Sequence, residues 1–598
     1  MFRYIALAWR ESSPQSAALA QKFSLVWQQN VNWKAALLTP GLHVFATGAK
    51  SGINEVWPLQ GGLGVILGKL FRRTELDSAA APSATINGAD AASILESGGR
   101  ILVDRYWGRY VALLRNATGD TLVMRDPSGT LPCFRIRHQG VSIVFSWLED
   151  ALQMLSPSEH PKVNWDVLTA QLLRGPLGGR ATALAGIAQV LPGEAVDLGT
   201  DQSLLLWSAV AIARAPARYD IAEATQLLSH AVRSCTRAWA SCYDSLLLRL
   251  SGGVDSSILL SCLAPGSTTA DVICVNYHSP GADSDERHYA LMAAGRVGRD
   301  LLLRERDLGF QIERVLRIAR MPSPVVYVGG MNASTDAKLA SAHAASAMFT
   351  GAGGDALFYE VPRWWPAADY LHDNGMDAGF PGAALDAARL GKLSVWRTLA
   401  LAVRERLHPD LSTRLPKRRQ HPLLSHDLVS ARADAHQFAH PGLSEGAMLP
   451  IGKYMQTAAL MHPVGYYEPF EQESAPELVY PLFSQPLVEL CLRLPTYLLA
   501  HGGRGRALAR GAFMADLPTQ IANRRSKGGM EEHIKAVLNA NIELVRELLL
   551  EGELSRRGML ERSKVEELLS GRPTTLICSP SQVHALVAVE AWLSRWTL

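Results

Sequence analysis

The chain has 598 residues, of which 48% are hydrophobic and 19% charged, and its formal net charge is +3. Such a composition belongs to an ordinary globular protein, neither disordered nor membrane-bound, and the length calls for two to four domains. So small a charge gives no general case for nucleic acid as a partner, and no apolar run approaches the roughly 18 residues that would make a membrane one.

Met1-Phe-Arg-Tyr-Ile-Ala-Leu-Ala-Trp-Arg10 has too short an apolar core for a signal peptide and reads as a first strand. The seven cysteines, Cys133, Cys235, Cys242, Cys262, Cys274, Cys491 and Cys578, are scattered and form no C-x-x-C pair. Neither a zinc site nor a disulfide framework is expected, and the chain reads as cytoplasmic. From Met1 to about Leu206 short strands alternate with turns: Gly41 to Thr47, Arg109 to Leu114, Thr121 to Arg125 and Val141 to Phe145. Gly61-Gly-Leu-Gly-Val-Ile-Leu-Gly-Lys69 mimics a phosphate loop, but Leu63 replaces its first glycine and Leu70 its hydroxyl residue. A glycine-rich turn or strand is the preferred reading. The runs Trp107-Gly-Arg-Tyr-Val-Ala, Met124-Arg-Asp-Pro-Ser-Gly129, Val144-Phe-Ser-Trp-Leu-Glu149 and Ile187-Ala-Gln-Val-Leu-Pro-Gly193 resemble the glutaminase domain of asparagine synthetases. The resemblance implies a sandwich of two sheets between helices. Glutaminases of that kind carry cysteine after the initiator Met as nucleophile; this chain has Phe2. The fold without the glutaminase chemistry is therefore expected, with nitrogen supplied by an amine substrate.

Ser208 to Asp220 reads as a linker between residues 1–206 and 207–598, and Ile221 to Arg233 has helical spacing. The apolar run Ser245 to Leu250 then reads as a buried strand, ended by Ser251-Gly-Gly-Val-Asp255-Ser-Ser257. Two glycines permit a tight turn, and Ser256, Ser257 and Ile258 to Leu260 open a helix. Strand, turn and helix N-terminus aim backbone N–H groups at one point, which suits a phosphate. Asp255 beside that point calls for a divalent cation between carboxylate and phosphate. This motif resembles the pyrophosphate loop of the N-type ATP pyrophosphatases, asparagine synthetases among them. The resemblance implies cleavage of ATP to AMP and pyrophosphate to activate a carboxylate as its acyl-adenylate.

Asp271 to Asn276 is a second buried strand, and alternating strands and helices argue for a parallel sheet with ligands at the carboxyl ends of its strands. Val275, Asn276 and Tyr277 fall where an adenine would lie. Asp283-Ser-Asp285-Glu286-Arg-His-Tyr289-Ala290 resembles the family's acidic helix start, but acidic residues favour any helix start and no role is assigned. Gly351-Ala-Gly-Gly-Asp355-Ala-Leu-Phe358 is similar to the S-G-x-G-G-D-E-L-F segment of asparagine synthetases, with Ala356 in place of the glutamate. Asp255 and Asp355 are thus expected to hold Mg²⁺ against the phosphates. Residues 361 to 450 match no pattern, and Lys417-Arg-Arg419 reads as a solvated loop.

Pro476-Glu477-Leu-Val-Tyr-Pro481-Leu-Phe-Ser484 resembles the family's substrate-pocket segment, with Val479 and Ser484 where Arg and Asp stand, which argues against free aspartate as substrate. Arg504-Gly-Arg506-Ala-Leu-Ala-Arg510, Leu517-Pro518 and Arg524-Arg-Ser-Lys527-Gly-Gly529 resemble the block that ends the synthetase site, whose lysine covers the phosphates. Beyond residue 530 amphipathic helices are expected to pack without chemistry.

The expected fold class is α/β: a degenerate glutaminase-like (Ntn-type) αββα sandwich, then a parallel-sheet ATP pyrophosphatase domain with a helical C-terminal part. The nucleotide site is expected to comprise Leu250, Ser251, Gly252, Gly253, Asp255, Ser256, Ser257, Val275, Gly351, Gly353 and Lys527. Lys527, Asp255 and Asp355 are assigned to catalysis, the two aspartates as metal ligands. ATP and Mg²⁺ are the implied cofactors. Ala352, where β-lactam synthetases carry tyrosine, leaves lasso peptide isopeptide synthetases (macrolactam cyclases) as the branch most resembled. That implies a ribosomal precursor peptide as substrate, with a leader-binding protein and a leader peptidase as partners. An ammonia-using synthetase acting on a small acid, and a nucleotide-binding interaction protein without catalysis, are the alternatives. Glu468, Glu471, Glu473 and Glu477 are nearby candidates for a general base.

Overall fold

The computed structural model describes residues 1–73, 84–116, 119–175, 177–279, 285–306, 321–325, 332–409, 421–430, 435–461, 476–525, 528–571 and 576–597. Among the described residues the amino-terminal part builds twelve strands: β1 (Arg3–Trp9), β2 (Lys34–Thr39), β3 (Leu42–Thr47), β4 (Glu55–Pro58), β5 (Gly64–Arg72), β6 (Tyr106–Arg115), β7 (Thr121–Arg125), β8 (Phe134–His138), β9 (Val141–Phe145), β10 (Ile187–Gln189), β11 (Glu194–Asp197) and β12 (Ser203–Leu205). They form two six-stranded sheets, ordered β10-β8-β9-β1-β3-β2 and β12-β11-β7-β6-β5-β4. Alternation along β1 explains the layering. Tyr4, Ala6 and Ala8 enter an inter-sheet core with Val65, Leu67, Val111 and Leu113. Ile5 and Leu7 point the other way, onto Ala20, Phe23 and Trp27 of helix α1 (Pro14–Gln28). Phe2 is 6% exposed and belongs to the inter-sheet core. The phosphate-loop mimic is a turn leading into β5, as expected, and its Lys69 is fully buried near Glu55.

The stretch after β12 contains a short helix, Ala209–Ala213, and α2 (Ile221–Ala240) starts where its N-cap, Asp220, accepts from the Glu223 amide. A five-stranded parallel sheet follows: β13 (Ser245–Arg249), β14 (Asp271–His278), β15 (Leu301–Glu305), β16 (Ala347–Phe349) and β17 (Glu477–Val479), in the order β15-β14-β13-β16-β17. All four pairings are parallel. Both faces are covered, as such sheets require. Leu246, Leu248 and Cys274 join the core that also holds Tyr110, Ala112 and Leu114 of β6, while Leu247, Val275 and Met348 face Leu339 and Ala340. Strand order runs outward from β13 to β15 and then restarts at β16. The reversal between β13 and β16 is the switch point at which such sheets bind ligands. Helices α3 (Val254–Cys262) and α4 (Arg287–Val297) follow β13 and β14. After residue 530 the described chain is helical apart from short connections, ending in α5 (Pro580–Trp596), which packs against the outer layer of the first sheet. No helix among the described residues is long and apolar enough to cross a membrane.

Candidate active site

Two loops meet at the switch point. The first, Ser251 to Gly253, leaves β13 with Gly252 at φ 79°, a left-handed turn that favours glycine. It is braced internally: the Ser251 hydroxyl lies 3.1 Å from that of Ser256, and the Ser257 hydroxyl donates to the Gly253 carbonyl at 2.8 Å. The second, Gly351 to Asp355, leaves β16 and lies directly on the first. A Cβ at Gly351 would stand 2.8 Å from the Ser256 nitrogen, and one at Gly354 only 2.4 Å from Asp255 Cγ. Gly353, at φ 92°, has no room for a side chain because the Phe483 ring is there. The glycines of this segment are thus set by close approach to the first loop and to the segment after β17.

This stacking brings the two aspartates to one cation. Arg506 donates through Nε and Nη2 to the two oxygens of Asp255, at 2.8 and 2.9 Å, and the same Nη2 bonds Asp355. Its Nη1 lies 2.7 Å from Glu360. Arg506 is 4% exposed and holds φ 55°, a conformation a non-glycine residue keeps only when surrounding contacts enforce it. Its chain neighbours secure the adjoining turn: Arg510 donates to the Ile521 and Ala522 carbonyls at 3.0 and 2.8 Å, and Arg504 to Ala522 at 2.9 Å. Burial pulls the Arg510 guanidinium down to about 10, still charged at neutral pH.

A second clamp closes the site at the head of α4. Glu286 pairs with Arg524 and accepts from the Gly528 amide at 2.8 Å. The Arg524 guanidinium stacks 4.0 Å from the Tyr289 ring, and a Cβ on Gly252 would meet Tyr289 and Ala290 at 2.8 Å. Arg524 and Gly528 are therefore tied beside the first loop, and Lys527 lies outside the described residues.

Among the expected site residues, Ser251, Gly252, Gly253, Asp255, Ser256, Ser257, Gly351, Gly353 and Asp355 come together here. Leu250 and Val275 sit beneath: Leu250 donates its amide to the Val275 carbonyl at 2.8 Å, and Asn276 donates to the Leu250 carbonyl at 2.8 Å. The Val275 side chain is fully buried in the sheet core, so only its backbone belongs to the site. Of the base candidates, Glu468, Glu471 and Glu473 lie outside the described residues. Glu477 is committed to an ion pair with Arg109 and to bonds from Asn54, which leaves it unsuited as a base. Two residues were not singled out from sequence: Arg506, visible only as one basic residue in a block, and Glu286, whose acidic helix start has an ordinary explanation.

The donor set bears on Mg²⁺. Oxygens of Asp255 and Asp355 lie within hydrogen-bond reach of one nitrogen, so both can face one small cation, and carboxylates are the ligand type Mg²⁺ takes. No group of three or more His, Cys, Asp or Glu among the described residues could hold a metal alone. A magnesium ion here would share these two carboxylates with phosphate oxygens and water, and would supply charge neutralisation.

A family model described as asparagine synthase matches residues 223–594, more than half of the chain. The chain belongs to that family, one of ATP-dependent ligases that form C–N bonds. No curated protein matches it. Solved structures resemble it distantly. The allosteric regulatory enzyme of purine biosynthesis is 10% identical over 51% of this chain and 80% of its own, with a TM-score of 0.21. The glutamine-dependent NAD⁺ synthetase of Acinetobacter baumannii, in complex with ADP, is 15% identical over 41% and 61%, with a TM-score of 0.18. The glutamine phosphoribosylpyrophosphate amidotransferase of B. subtilis, with ADP and GMP, is 8% identical over 51% and 81%, with a TM-score of 0.20.

Proposed function

We propose that this ligase is an isopeptide synthetase that adenylates an Asp or Glu side chain of a precursor peptide and closes a macrolactam with the peptide's own N-terminal amine. The observation that carries the reading is Phe2: position 2 bears a phenyl ring packed between two sheets, so no thiol is there to release ammonia from glutamine. An amine carried by the substrate itself fits this. Val479 and Ser484, buried at 2% exposure each, replace charged residues of the family's small-acid pocket, and Ser484 is bonded to Trp239. This fits a carboxylate carried on something larger than a free amino acid.

In this reading the peptide carboxylate attacks the α-phosphorus of ATP, pyrophosphate leaves, and the acyl-adenylate receives the amine as AMP departs. Ser251 to Ser257 bind the pyrophosphate, Asp255 and Asp355 hold Mg²⁺, and Lys527 follows negative charge from phosphorus to the carbonyl oxygen. Holding the peptide folded converts amide formation into an intramolecular step. Incubation with ATP and a linear precursor should yield AMP and a peptide one water lighter that lacks a free amine. Asparagine formed from free aspartate and ammonium, or nucleotide binding with no AMP under any substrate, would replace the proposal by one of its alternatives.

A further inference from the structure

The sandwich carries Phe2 where the glutaminases it resembles carry cysteine, and one of its charged side chains reaches the synthetase sheet. Arg109 lies on β6 in the same alternation as Val111 and Leu113, which fill the inter-sheet core. It is 8% exposed, and its guanidinium reaches β17. Its guanidinium pairs with Glu477, donates to the Leu478 carbonyl at 3.3 Å and to Asn54 Oδ1 at 3.0 Å. Asn54, 3% exposed in the turn before β4, returns its amide to both Glu477 oxygens at 3.0 Å. The Trp239 ring stands 6.0 Å from the guanidinium. A buried charge held through both of its Nη groups is costly to strand, which fixes the partners relative to each other.

What is fixed bears on the site. Strand β17 is the last strand of the parallel sheet, and Arg109 binds it beyond its pairing with β16. On the other side the Glu477 amide donates to the Ser346 carbonyl at 2.9 Å, and the Thr350 amide to the Val479 carbonyl at 3.3 Å. Thr350 immediately precedes Gly351. Four residues after β17, the Phe483 ring occupies the space above Gly353. We infer that Arg109 is a positioning residue for the synthetase reaction: with Asn54 it locks β17, and through β17 the Gly351–Asp355 loop, so the sandwich is a working part of the ligase. The inference rests on the synthetase reading of the site, not on the peptide as substrate.

The test uses the full chain and first reads amide exchange without substrate, so it stands even if no peptide is turned over. Arg109→Met should accelerate hydrogen–deuterium exchange at Thr350 and Gly351 by roughly tenfold and weaken binding of a fluorescent ATP analogue. Glu477→Gln should do the same, and the double variant should add little to either single change. Arg109→Lys, which keeps the charge but loses the fork, should recover part of the effect. The control is Arg3→Met, which breaks a sandwich ion pair with Asp150, 3.3 Å long and away from β17; it should leave exchange at Thr350 unchanged. If Arg109→Met does not fold, Asn54→Ala carries the same comparison. Wild-type exchange at Thr350 and wild-type nucleotide affinity in Arg109→Met would overturn the inference, as would an equal change in Arg3→Met.

Discussion

Arg506 offsets the charge of two carboxylates at the end of a parallel sheet, and Lys527 is the proposed cation for the nucleotide. A charge aimed at a developing oxyanion typically contributes about 10²–10³ in rate. Lys527→Ala should therefore slow ring closure by about that factor, and at least as much as it slows adenylation, when AMP and cyclised peptide are followed separately by mass spectrometry. Ring closure at the wild-type rate would make the lysine a surface charge. Glu590 offers a test of stability instead. It is 2% exposed on α5 and accepts from the Glu553 and Leu554 amides at 2.9 and 2.8 Å, capping the helix Glu553–Arg556. Burial raises its carboxyl to about 7, above the ordinary 4.5, with those amides opposing. Between these values the folded chain holds the proton that the unfolded chain has released, so this group's contribution to stability falls as pH rises. The fall is on the order of 1–3 kcal/mol between about pH 5 and pH 8. Glu590→Gln should flatten that fall in urea midpoints, and parallel curves for variant and wild type would contradict it.

The element scale shows which parts of the molecule the sequence announces. Strand β13, its glycine turn and α3 are legible because the signal is local: an apolar run, two glycines, then hydroxyl residues and a helical pattern. The second loop is legible by its likeness to the first. Arg506 is not, because its partner Asp255 lies 251 residues away and nothing local marks an arginine bound for a carboxylate pair. Glu286 is masked differently: an acidic residue favours any helix start, and its bond to the Gly528 amide, 242 residues away, leaves no local mark. Where Gly351 and Gly354 must be glycine follows only from the loops' contact. Gly354→Ala would place a methyl group inside Asp255, 2.4 Å from its Cγ. A displacement of the loops by about 1 Å costs about 10²-fold in rate. AMP formation should drop by at least that much with the melting temperature nearly unchanged, and a variant retaining near wild-type turnover would disprove the contact.

At the scale of the whole molecule, the outer faces of the sandwich are covered by later parts of the chain. One core joins β6 to α2 and the parallel sheet, and another joins α1 to α5, with Arg595 on Glu149 across the second junction. This was not legible, because amphipathic helices after residue 530 announce an apolar face without naming what it covers. With Phe2 in the inter-sheet core, glutamine should not be hydrolysed: glutamate release with ATP and any acceptor should stay at background. Release abolished by a substitution in residues 1–200 would show that the sandwich retains chemistry.

The loops of Asp255 and Asp355 are proposed to activate a peptide carboxylate through an acyl-adenylate. Isotope exchange between labelled pyrophosphate and ATP tests this proposal directly, using a precursor peptide whose N-terminal amine is acetylated so that the ring cannot close. Label should enter ATP, depend on the peptide's acidic side chain and vanish in Asp255→Asn and in Asp355→Asn. Formation of ADP and phosphate in place of exchange, or exchange that survives either substitution at saturating Mg²⁺, would contradict it.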